Sequence, residues 1–172
     1  MKNLLTLLFS LASLVVFSQQ TSTKLILLEQ LKSTHHVKNW FVPVNIAVEG
    51  LTPEQASWKD EGGHSVGQLT FHLLFWNERQ LLDFRGEKKA SFSGNNEETF
   101  DKFDQNQWTD VVKRLEKVLT DIEKWVETAT DDQLRKHAST LANISAHNAY
   151  HTGQIVSVRK AQGSWDAEKG VK

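Results

Sequence analysis

From Gln107 to Thr128 the chain holds one helical period without interruption. Val111, Leu115, Val118, Leu119, Ile122, Trp125 and Val126 recur every three or four residues, and Lys113, Arg114, Glu116 and Lys117 fill the other face. Such a stripe is an amphipathic helix that has to bury one side against other elements. No segment alternates convincingly at period two, so no strand is expected.

Three more helices follow from the same pattern. One runs over about 23–49 on Leu25, Leu28, Leu31, Val42 and Ile46, with a kink or break expected near Trp40–Pro43, because proline removes a backbone donor. A second opens at Ser65 and Gln68, which have capping-box spacing, continues through Leu69, His72, Leu73 and Trp76, and stops at Gly86. Residues 87–104 read as a long polar loop. Thr130 and Gln133 repeat the capping-box spacing at a short turn, and the last helix is expected from about Thr140 to Ala161, with Trp165 folding back afterwards. Four amphipathic helices without strands imply an all-α four-helix bundle, a fold whose core commonly holds metal sites.

Ahead of the helices, Met1-Lys2-Asn3 and an apolar run from Leu4 to Phe17 read as a secretory signal over 1–18, leaving 19–172 as one exported domain, periplasmic or secreted. The run is shorter than the ~20 residues of a membrane span. There is no cysteine, which excludes disulfides, thiolate ligands and a lipoprotein anchor. A net charge of −1 without a basic stripe argues against a nucleic-acid partner.

His147 and His151 lie four residues apart and share one helix face. His72 sits on a second apolar seam. Three neutral imidazoles from facing helices can hold one divalent ion and leave a position open, and such an ion can bring the pKa of bound water towards about 7. Zinc, nickel, iron and copper all suit nitrogen ligands. Asn148 stands where a zinc protease has its glutamate, and the paired Glu-x-x-His of di-iron bundles is missing, since the one such spacing is Glu61 to His64 in a glycine-rich turn. Gln68 and Gln154 are spaced to orient an imidazole or touch a ligand. Trp40 and Trp76 are placed as core residues or pocket walls. His35 and His36 are adjacent, so they are not expected to face the same way on a helix; His64 and His137 are assigned ordinary surface or structural roles. Gly153 costs about 1 kcal/mol in a helix, which suggests close approach of a neighbouring helix.

The segments Ser65–His72, Trp76-Asn77-Glu78 and His147–Ile155, with the order of helices and the closing Gly163-Ser164-Trp165, resemble the DinB-like (damage-inducible) superfamily over about 24–166. The resemblance implies a four-helix bundle with a divalent metal on His72, His147 and His151, and a homodimer. Its functions include metal-dependent hydrolases and transferases using cytosolic thiols, the latter at odds with export. A metal-dependent hydrolase acting on a small molecule with an activated water is the leading expectation; a non-catalytic metal- or small-molecule-binding protein and a thiol-dependent transferase are the alternatives.

Overall fold

Three helices start on reciprocal capping boxes, which satisfy backbone donors that a helix N-terminus leaves open. Thr52 caps α3 (Pro53–Ser57), Ser65 caps α4 (Val66–Arg85), and Thr130 caps the 31-residue helix α7 (Asp131–Ala161). The computed structural model describes residues 23–171, so the leader expected over 1–18 lies outside the described residues. The remaining helices are α1 (23–35), the short α2 (Val44–Val48) and α5 (Glu98–Asp101), and α6 (Trp108–Thr128). There is no strand among the described residues, and no described helix is long and apolar enough to cross a membrane.

Cross-helix pairs give the topology. Glu78 meets Arg114 and Arg85 meets Asp121, so α4 and α6 run parallel. His72 meets His147 while Phe84 meets His137, so α7 is antiparallel to α4. Lys24 reaches the carbonyls of Glu127 and Ala129, and His35 meets Glu116 and Glu123, so α1 is antiparallel to α6. The α6 seam is buried as expected, with Val111, Leu115, Val118, Leu119, Ile122 and Val126 in the core.

Two boundaries differ from expectation. The break expected near Trp40–Pro43 is present, since Pro43 stands just ahead of α2, but α1 stops sooner than that. It ends at His35, where Ser33 and Thr34 turn their hydroxyls back onto the carbonyls of Gln30 and Leu31 and both His36 N–H and Val37 N–H share the Lys32 carbonyl. Trp40 then lies exposed in the connection to α2, outside the core, at the edge of a small hollow that it shares with Ile26 and Phe41 and that is distant in sequence from the three histidines. The capping box at Thr130 opens α7 itself, not a separate turn: Leu134 and His137 face inward there, His137 against Phe84 and Trp125, and the rest of that stretch is mostly polar surface.

The loop before α6 is anchored. Phe103 presses on Gly67 so closely that a Cβ there would sit 2.2 Å from its ring. Gly153 is the opposite case. It is exposed, and a Cβ there would meet nothing within 4 Å, so no helix approaches it. Arg159 ties the C-terminal end down, donating to the carbonyls of Ala47, Glu49 and Ser164 and lying over Trp165, which folds back as expected.

Gly67→Ala is expected to destabilise by about 1–3 kcal/mol through overpacking, whereas Gly153→Ala stabilises by up to about 1 kcal/mol through helix propensity. Urea melts of both variants check the opposite signs.

Candidate metal centre

His72 is placed by α4, and His147 and His151 by successive turns of α7. Below them a buried amide pair sets the register: Asn77 Nδ2 donates to Asn148 Oδ1 at 2.9 Å and to the Leu73 carbonyl at 2.8 Å. Asn148 therefore has a structural task in place of the protease glutamate. The imidazoles converge, with ring centroids 5.1 Å (His72–His147), 4.6 Å (His72–His151) and 4.5 Å (His147–His151) apart. One nitrogen from each lies within 4.8 Å of the others.

Hydrogen bonds fix which nitrogens are free. The Thr99 hydroxyl donates its one proton to the Asn96 carbonyl at 2.6 Å, so it accepts from His72 Nδ1–H at 2.5 Å. Gln154 Oε1 accepts from His151 Nδ1–H at 2.6 Å. Both rings thus carry their proton on Nδ1 and keep a lone pair on Nε2. His147 Nε2 stands 3.1 Å from His72 Nε2, so either one proton is shared between them or both lone pairs face a common cation. The donor set is thus three imidazoles, two of them oriented by a hydrogen bond on Nδ1, which suits a divalent transition metal.

The electrostatics agree. Burial, then the neighbouring His151, His147 and His64, pushes the His72 pKa down to about 3. Burial and His151 bring His147 down to about 4. Burial also lowers His151, opposed by the Gln154 bond.

The two glutamines separate. Gln154 orients His151 and donates to the Tyr150 hydroxyl at 3.4 Å. Gln68 does not serve His72. Its side chain accepts from the Ser65 N–H, completing the cap of α4, and it lines a different hollow with Phe103 and Asp104. The residue that holds His72 is Thr99, on α5 in the segment read as loop. A lone threonine in a polar stretch carries no sequence signal of that role. The same segment supplies Phe100, which is stacked between His64 and His72 at 4.0 Å from each ring.

Around the trio lies a hollow of about 830 Å³, walled by Trp76, Phe100, Ile144 and Tyr150 and edged by Asn77, Gln80, Asn96, Asn143 and Glu97. A family model described as the DinB superfamily matches residues 44–155, more than half of the chain and inclusive of all three histidines. The chain belongs to the DinB superfamily. No curated protein and no solved structure matches it significantly.

For a histidine whose folded pKa lies below its unfolded value of about 6.5, the unfolded chain binds more protons as pH falls. His72 and His147 thus contribute stability that is complete above about pH 6.5 and is lost as pH falls towards 3–4. In long-range 1H–15N NMR of metal-free protein at pH 5.5, both rings are expected to be neutral, with His72 as the Nδ1–H tautomer. Imidazolium signals for His72 at that pH would contradict this assignment.

Proposed function

We propose that this DinB-superfamily protein is an exported metal-dependent hydrolase of a small, uncharged carbonyl compound, an ester or amide. The observation that carries the reading is the convergence of His72, His147 and His151, with the tautomers of His72 and His151 already set by Thr99 and Gln154. In this reading one nitrogen from each of His72, His147 and His151 would hold one divalent ion, zinc, nickel or iron. When bound, the ion supplies Lewis acidity, polarising a substrate oxygen or acidifying water.

The chain's own residues supply the rest. Among the residues lining the hollow there is no lysine or arginine. A phosphoester would have no cationic side chain to meet it, which favours a neutral substrate. Trp76, Phe100 and Tyr150 offer apolar faces, and the amides of Gln80, Asn96 and Asn143 offer donors and acceptors for a carbonyl and its substituents. Glu97 is the one carboxylate among the residues lining the hollow, and in this reading it would be the group available to accept a proton there. Export rests on the Lys2-containing start and the Leu4–Phe17 apolar run; a homodimer follows from the family resemblance alone.

Tag-free protein is expected to lose one equivalent of metal in His147→Ala. Thr99→Val weakens the same equivalent by about 10–100-fold, because it removes the bond that orients His72. Ester and amide panels should show turnover that falls about a thousandfold in His147→Ala, a loss of roughly 4 kcal/mol. Glu97→Gln should lower kcat while leaving metal content unchanged. A wild-type protein with full metal and no turnover on any ester or amide would overturn the hydrolase and leave a binding protein.

A further inference from the structure

Two other histidines close α1 opposite α6. Because the helix ends at His35, the following turn swings His36 towards the same partner, and the two rings stand edge to face at 4.7 Å. The expectation that adjacent histidines diverge fails here for that reason. His35 Nδ1 lies 2.7 Å from Glu123 Oε1, and His36 Nε2 lies 3.3 Å from Glu123 Oε2. The far nitrogen of His35, Nε2, meets Glu116 Oε2 at 2.9 Å. His35 and Glu123 are buried, while His36 is exposed.

We propose that His35, His36 and Glu123 form a second divalent transition-metal site, separate from the three-histidine group between α4 and α7, with Glu116 as its positioning residue. Three observations carry this. Two imidazoles and a carboxylate place one donor atom each within 4.8 Å of one another, a ligand combination suited to zinc or iron with positions left open. Metal-bound histidines almost always donate their other ring N–H to a carboxylate or carbonyl, and Glu116 already occupies that place on His35. Charge also balances: Glu116 and Glu123 bring two negative charges, which one proton on His35 leaves half compensated and one dication neutralises. On binding, the ion replaces the proton between His35 Nδ1 and Glu123, and that proton leaves to solvent. The exposed edge of His36 gives the ion its route in.

Cobalt(II) titration of the full, tag-free chain, followed by visible absorption and calorimetry, tests the site. Wild type is expected to bind two equivalents and His147→Ala one. Adding His36→Ala to His147→Ala should remove the remaining equivalent. Glu116→Gln in the same background should weaken it by about 10–100-fold. Both positions reach solvent, and circular dichroism melts confirm that the variants are folded. If either variant fails to fold, the other decides. The proposal is overturned if His147→Ala binds no cobalt, or binds one equivalent with an affinity that neither His36→Ala nor Glu116→Gln changes. A wild type that binds one equivalent, lost in His36→Ala but kept in His147→Ala, upholds this site and removes the three-histidine one.

Discussion

The arrangement at the centre of this protein depends on the register between α4 and α7. Two helices can slide past one another at little cost when only leucines face each other, because apolar contact has no direction. The Asn77–Asn148 pair removes that freedom. Each amide is buried, and a shift of one turn would leave donors and acceptors without partners, at roughly 1–3 kcal/mol for each group. With the pair locked, His72 is opposite His147, and His151 follows one turn later on the same face.

That lock also explains why the histidines remain useful bases. They lie in an apolar wall, where charging them is unfavourable, and each is close enough to the others to oppose a second proton. Thr99 and Gln154 then decide which nitrogen stays bare. Burial alone would have produced three neutral rings of undefined tautomer. The hydroxyl and the amide direct the lone pairs of His72 and His151.

Much of this is legible in the sequence. The α6 seam, the capping box at Ser65 and the i, i+4 spacing of His147 and His151 are local patterns, and each maps onto the bundle as read. What stayed hidden depended on distant partners. Thr99 acquires its role only because α5 folds over α4. Gln68 fits two tasks by spacing, and the cap took it. The early start of α7 was masked because His137, its inward residue after Leu134, reads as polar although two aromatic rings cover it. His35 and His36 point together only because the helix stops between them, and a stop set by side-chain hydroxyls folding back is weaker in sequence than a proline.

The parallel course of α4 and α6 has a further meaning. An antiparallel neighbour can be reached in two residues, as α7 is from α6 through Ala129 and Thr130. A parallel neighbour requires the chain to travel back along the whole helix, about 30 Å for the 20 residues of α4. That return strand has to cross the outside of the bundle, and Phe92, Thr99, Phe100 and Phe103 fasten it as it goes. The roof over the histidines is thus a by-product of connectivity. Its span between fastenings is the part of the chain where a lineage could change what enters the hollow while leaving the scaffold beneath it alone.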